Sequence, residues 1–367
     1  MEWLYLGFVA LIAALLALDL GVFHRHAHVV KVKEALGWSA VWISLGLSFT
    51  AFVYFGYEHH WLGLGTTLDT MARPVVGPDG VTYYNDGSSA AIKYVTGFFV
   101  EKSLSVDNIF VIAMIFGFFA VPAVYQHRVL FWGIVGALAM RGAMIALGVT
   151  LIREVSWVIY VFGGFLIFTG VKMLLMKDGD GDLESNRLVR LVRRMVPITQ
   201  RYHGQRFFVR AGSPESRAPA VDGQAPEVDR IVDISRAGAL LATPLLLALV
   251  LVELTDVVFA VDSIPAIFAI TTDPFLVFTS NIFAILGLRS LYFALAGMID
   301  AFRYLKLALS VVLIVIGTKM IAHGWLKDLL GEHFNFYVLG VVGGIIGTGV
   351  IASLIARRRA GAVPGTI

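Results

Sequence analysis

Three carboxylates stand in one apolar stretch, LVELTDVVFAVDSIPAIFAIT at 251–271: Glu253, Asp256 and Asp262. If the stretch crosses a membrane, each carboxylate costs about 2.5–3.5 kcal/mol on insertion scales unless it finds a partner. A bound cation is one shared partner. Intramembrane Arg or Lys is the other, and then the acids only hold helices together. Glu253 and Asp256 are three apart and share a helix face. Asp262 falls on the opposite side from Glu253 at ~3.6 residues per turn. Pro265 lacks an N–H and crowds the carbonyl of Val261, so the helix is expected to kink or unwind just after Asp262. Irregular backbone at membrane depth is tolerated where it lines a cavity. Freed carbonyls beside carboxylates would make an oxygen-rich cation site.

A second charged stretch, VTGFFVEKSLSVDNIFVIAMIF, carries Glu101, Lys102, Ser103, Ser105, Asp107 and Asn108. Glu101 and Asn108 are seven apart and share a face, and Asp107 lies near the face of Ser103. Lys102 is expected to neutralise Glu101 or to snorkel outward. The site expected from these patterns sets Asp107 and Asn108 against Glu253 and Asp256 near the midplane. Asp262 and the carbonyl freed by Pro265 would complete or adjoin it. Carboxylate, amide and carbonyl oxygens suit hard divalent cations such as Mn²⁺, Mg²⁺ and Ca²⁺. Asp19 either adds to a cation path or sits at an interface. Arg141 and Arg289 fall mid-span and must face inward, to carboxylates or helix-end carbonyls. Lys172 and Lys319 lie nearer span ends, within reach of the interface. Structural pairing is the expectation for all of these bases.

The elements that must hold these residues are membrane spans. The chain has 367 residues, is 58% hydrophobic and contains no Cys. That composition reads as an all-α polytopic membrane protein. It excludes thiolate metal sites, disulfides and a CxxC redox centre. Nine spans are predicted, at 2–22, 38–57, 94–119, 128–152, 156–176, 240–271, 278–298, 305–323 and 335–356. The first is too long, and too poor in N-terminal positive charge, for a cleaved signal peptide. Alternate loops hold 20 and 4 Lys or Arg residues, which predicts an external N-terminus and a cytoplasmic C-terminus.

The predicted organisation is an N-terminal pair of spans with an outer loop (1–93), a three-helix unit (94–176), a cytoplasmic basic linker (177–237), a second three-helix unit (238–323), and a final span with its tail (324–367). Within the linker, RLVRLVRRMVP sets Arg187, Arg190, Arg193 and Arg194 on one helix face, as in a helix lying on an anionic leaflet. It is too short and mixed for a nucleic-acid role. Residues 211–229 are Pro-, Ala-, Gly- and acid-rich and read as mobile. His24, His26 and His28, and the outer His59 and His60, could take metal or simply be solvated.

The two three-helix units are similar. LIFTGVKML at 166–174 matches LIVIGTKMI at 313–321, and Arg141 and Asp107 align near Arg289 and Asp256 at almost the same offset. Three spans separate the copies, an odd number, so the second copy is expected to be inverted. Inverted repeats with polar helices meeting near the midplane are a transporter signature.

At FVEKSLSVDNIF, YQHRVLFWGIVGALAMRG, FGGFLIFTGVKM, VELTDVVFAVDSIPAIFAIT and SNIFAILGLRSLYF, the sequence resembles the TerC family of bacterial membrane proteins. The outer loop and long linker look most like its alkali-inducible, Alx-type branch. That resemblance implies divalent metal export across the inner membrane, chiefly of Mn²⁺ as transported ion, with no permanently bound cofactor and no enzyme activity. It carries the acidic-motif roles to Glu101, Asp107 and Asn108 in one copy, and to Glu253, Asp256, Asp262 and Ser263 in the other. Exchange for protons is the natural coupling. The alternatives are a membrane redox or tellurite-resistance protein, an intramembrane aspartyl hydrolase, and an adaptor that hands metal to secreted proteins through the secretion machinery. The redox reading lacks Cys, an intramembrane haem His pair and a dinucleotide motif.

Overall fold

The computed structural model describes residues 2–18, 32–155, 157–175, 198–213, 230–295, 304–322, 325 and 334–361. The helices are α1 (Glu2–Leu18), α2 (Val32–Glu58), α3 (Gly87–Phe118), α4 (Ala123–Glu154), α5 (Val158–Leu175), the short α6 (Arg230–Ile234), α7 (Pro244–Phe268), α8 (Pro274–Leu286), α9 (Leu288–Leu295), α10 (Leu305–Ile321) and α11 (Phe334–Gly361). By length and composition α2, most of α4 and α7 are each able to cross a bilayer, and the bent α8–α9 pair makes a fourth. Shorter apolar runs lie in α1, α5, α10 and α11. The protein is all-α and polytopic. Each predicted span overlaps one of these helices or, for 278–298, most of the α8–α9 pair. The basic stretch 187–194 and residues 214–229 lie outside the described residues.

Two starts show the local chemistry. Asp86 caps α3 by accepting from Ser89 N at 2.6 Å, and Asp273 caps α8 by accepting from Phe275 N at 3.0 Å. Each satisfies an N–H that the first turn leaves without a helical partner. Pro274 follows as a residue that needs no such partner.

Two expectations about the backbone are corrected. The predicted span 240–271 begins late, because β4 (Leu240–Ala242) pairs antiparallel with β3 (Phe208–Arg210). And α7 runs unbroken through Pro265. Ile264, Ala266, Ile267 and Phe268 are buried around the proline, so packing on every side accompanies the helix past its missing bond. The break lies one span later, where α8 and α9 meet at Gly287 with a bend of 40°. Lys102 Nζ donates to the Ala284 carbonyl at 2.9 Å. In a continuous helix that carbonyl would accept from Leu288 N, so an inserted side chain interrupts the ladder. Gly287 has no room for a side chain: a Cβ there would meet Lys102 Nζ and Trp42 Cβ at 2.9 Å.

In the bundle α3 is central, packed on α2, α7 and α8, while α4 packs along α7 and α5 along α10. The α5–α10 seam is built on glycine. A Cβ at Gly163 would meet Gly317 O at 3.0 Å, one at Gly317 would meet Gly163 O at 2.7 Å, and one at Gly170 would meet Ser310 O at 2.8 Å. One index rises as the other falls, so the helices are antiparallel. The repeat alignment pairs Gly163 with Ser310 and Gly170 with Gly317. Under that alignment the two contacts exchange with each other.

The bundle ends are distinct. At one end residues 59–86 carry a hairpin of β1 (Val75–Val76) and β2 (Thr82–Tyr83), and this loop reaches the α7–α8 turn through Thr70 and Thr272. At the other end β3, β4 and α6 enclose Val209, Ala211, Val232 and Leu241. Tyr202 Oη donates to Phe119 O at 2.6 Å, and Arg128 lies over the Phe207 ring at 5.3 Å. Residues 198–213 and 230–242 thus pack as a cap on this end.

Candidate functional site

Glu101 and Asn108 sit two turns apart on one face of α3, and α4 and α7 bring their polar residues to that face. The centre is Arg141 of α4, 2% exposed. Its Nε and Nη2 donate to Asp256 Oδ2 and Oδ1 at 3.2 and 3.0 Å. Nη1 pairs with Glu101 Oε1 and reaches Ser263 Oγ at 3.2 Å. Asn108 Nδ2 donates to Asp256 Oδ1 at 2.9 Å, and Asn281 Nδ2 donates to Glu101 Oε2 at 3.2 Å. Every carboxylate oxygen of Glu101 and Asp256 therefore has a donor. All six side chains are buried, where charge-assisted bonds are strong and an unpaired charge is costly.

Three acceptor oxygens at or beside this cluster have no hydrogen-bond donor: Asn108 Oδ1, Asn281 Oδ1 and Glu253 Oε2. Glu253 lies one turn before Asp256, pressed against Gly136 of α4 so closely that a Cβ at Gly136 would collide with the carboxylate. A buried acceptor without a donor is rare and points to a ligand, a water or an ion.

Several predicted site residues are thus brought together: Glu101, Asn108, Asp256, Ser263 and Arg141 meet directly, and Glu253 lies one turn away. Arg141 stands between Glu101 and Asp256. Among the described residues no three His, Asp or Glu side chains gather as metal ligands. Asp107 and Asp262 lie on α3 and α7, but their side chains are outside the described residues, as are Asp19, His24, His26 and His28. Lys102 neither pairs with Glu101 nor snorkels; it takes the α8 carbonyl. Lys319 does not snorkel either. It is buried and donates to Ala269 O at 2.6 Å, capping the end of α7. Its repeat counterpart Lys172 is exposed, and Arg289 is buried in α9. His60 stacks on Tyr83 and His59 is exposed.

Sequence reasoning missed Asn281, although Thr279, Ser280 and Asn281 form a polar triplet in an otherwise apolar run. It also missed a buried polar knot at the bundle end formed by residues 59–86. Asp69 Oδ2 accepts from Lys93 Nζ at 2.8 Å, Asn85 Nδ2 at 3.1 Å and Thr271 Oγ1 at 2.6 Å. Its Oδ1 accepts from Met71 N, Thr272 N and Thr272 Oγ1 at 3.0, 2.9 and 3.2 Å. Burial pushes the Asp69 carboxyl up, but Lys93 and these donors win and hold it below the usual carboxylate range. In neighbouring Asp273, burial and the Asp69 charge push the carboxyl up to about 6.

Residues 86–361 match the family described as "Integral membrane protein TerC family", three quarters of the chain. The chain belongs to the TerC family. The match takes in the whole Arg141 cluster and begins at the Asp86 cap of α3. Among TerC-like relatives, an uncharacterized membrane protein of Myxococcus xanthus is 46% identical over 357 residues, 97% of this chain and 93% of the relative. The Escherichia coli K12 protein provisionally named membrane-bound redox modulator Alx is 41% identical over 344 residues, 93% of this chain and 90% of its own. An uncharacterized membrane protein of Rickettsia bellii is 37% identical over 326 residues, 89% of both chains. No solved structure matches this TerC chain.

Proposed function

We propose that this protein exports a divalent cation, Mn²⁺, across the bacterial inner membrane. The observation that carries the reading is the donor set at the bundle centre. Glu101 and Asn108 come from the first three-helix unit, and Asp256, Ser263 and Asn281 from the second. These are carboxylate, amide and hydroxyl oxygens with no thiol or imidazole among them, the chemistry of hard cations. Both units contribute, as in transporters built on inverted repeats. Glu101, Asn108, Glu253 and Asp256 are the ligands proposed, joined by Asp107 and Asp262 from the same helices. Ser263 is assigned to the transport path, as is Asp19 on its sequence position alone. Arg141, Arg289, Lys172 and Lys319 support it. Mn²⁺ is cargo, so no resident cofactor and no catalysis are needed. Metal-delivery partners at the secretion machinery are compatible with this role.

The orientation proposed is N-terminus outside, C-terminus in the cytoplasm. The loop charges support it, and so do the contacts at the bundle ends. The loop after α2 touches the α7–α8 turn, and the linker touches the α3–α4 turn. In each pair the charge pattern assigns both members to one side.

The redox reading is favoured by the name of the E. coli relative, yet this chain has no thiol. Purified protein in liposomes separates the two. Mn²⁺ flux above protein-free vesicles, lost in Asp256→Asn, is expected. Vesicles that show no flux with well-folded wild type refute export.

A further inference from the structure

We infer that the Arg141 guanidinium is a tethered stand-in for the cargo: it fills the cation position between Glu101 and Asp256 while the site is empty, and the entering metal must displace it. The inference rests on the export reading and adds how the site is kept closed and emptied. Arg141 spends four N–H···O contacts on this cluster: two on Asp256, one on Glu101 and one on Ser263. A guanidinium has five such donors, so nearly its whole capacity is used where a metal would otherwise sit. The two acids come from different halves of the molecule, α3 and α7, and the side chain that joins them comes from α4. A structural tie would need only one of those bonds to hold α4 to α7, because Gly136 and Gly133 already pack on Glu253 and Val252.

Charge favours exchange over sharing. A guanidinium and a divalent cation bound to the same two carboxylates would sit within a few ångströms of each other in a dry site, where repulsion is several times that in water. The structure offers Arg141 another place. Glu253 lies against α4 at Gly136, five residues before Arg141, and its Oε2 has no donor. Five residues span about 7.5 Å of helix, within the reach of an Arg side chain that turns back along its own helix. With the metal on Glu101 and Asp256, and Arg141 on Glu253, both groups are neutral. When the metal leaves, Arg141 returns and keeps the site from rebinding it.

Mn²⁺ binding to the purified full-length protein tests this through loss of the free-ion electron paramagnetic resonance signal, alongside flux into liposomes. In Arg141→Gln the competitor is gone. Binding is expected to tighten at least about tenfold, a small part of the effect of removing a unit charge near a second cation, while flux falls. A residue that only held helices together would, when replaced, loosen the site and weaken binding. Should Arg141→Gln fail to fold, Arg141→Lys serves: one ammonium cannot fork both acids, so binding should still tighten, by less. Folded variants that bind Mn²⁺ no more tightly than wild type overturn the inference and leave export standing. Wild type with neither binding nor flux overturns both.

Discussion

Replacing Asp69 with Asn should strand a buried ammonium. Asn keeps the size of the side chain and one acceptor oxygen. If that oxygen takes the Oδ1 position, it retains Met71 N and Thr272 N, at 3.0 and 2.9 Å. The Oδ2 side then loses the acceptor that serves Lys93 at 2.8 Å, Asn85 at 3.1 Å and Thr271 at 2.6 Å. Lys93 is 1% exposed, so no water replaces the loss. Its one remaining bond is to Asn85 Oδ1 at 2.6 Å. Breaking one side of a buried ion pair costs about 3–5 kcal/mol, and that is the destabilisation expected. Reversible unfolding by sodium dodecyl sulfate in mixed micelles measures it. The double variant Asp69→Asn/Lys93→Met removes the stranded charge and should recover more than about 1 kcal/mol, since an apolar replacement for a buried pair is often neutral. A single variant within about 1 kcal/mol of wild type, or a double variant less stable than either single, would refute the reasoning.

Asp273 supplies a pH dependence of opposite sign to most carboxylates. Its folded value of about 6 lies above the ordinary 3.8, so its contribution is full below about 3.8 and is lost as pH rises through about 6. Stability should therefore rise between pH ~7 and ~5, and Asp273→Asn should flatten that slope in melting curves. Neighbouring glycines in α5 should behave differently. Gly163→Ala meets Gly317 O at 3.0 Å and destabilises, by about 1–3 kcal/mol for overpacking, whereas Gly164→Ala meets nothing within 4 Å and should be neutral or gain up to about 1 kcal/mol of helix propensity. Thr70 and Thr272 hydroxyls are 3.1 Å apart. In a chain with no natural Cys, Thr70→Cys/Thr272→Cys should cross-link on mild oxidation, seen as a reducible mobility shift. No shift would unseat the loop from the α7–α8 turn.

The helices were legible because apolar runs of span length dominate the sequence, and an intramembrane carboxylate stands out against them. Glu101, Asn108 and Asp256 were found for that reason, and Arg141 for the converse one. What joins them was not legible. Which acid an Arg meets depends on helix rotation, and the sequence does not fix that once three helices are involved. Pro265 misled because its local cost is real, yet the packing around Ile264 and Phe268 outweighs it. The break at Gly287 was hidden because its cause is Lys102, almost two hundred residues away in the chain. Asp69 escaped notice for a different reason. In a polar loop one more Asp is unremarked, and only its burial against Thr271 and Thr272 sets it apart.

The glycine seam between α5 and α10 bears on motion. Side chains that interdigitate fix the angle between two helices, because any rotation forces them out of their rotamers. Where Gly163 faces the Gly317 carbonyl and Gly170 faces that of Ser310, the side chains of Ile321 and Ile314 also drop into the spaces the two glycines leave. In lipid, close contacts of this kind are held by dispersion between small residues. Such a seam fixes the crossing angle by shape, as the Asp69 knot fixes its surroundings by six directed bonds. Motion within the bundle is then expected to leave α5 and α10 together and to fall between other helices.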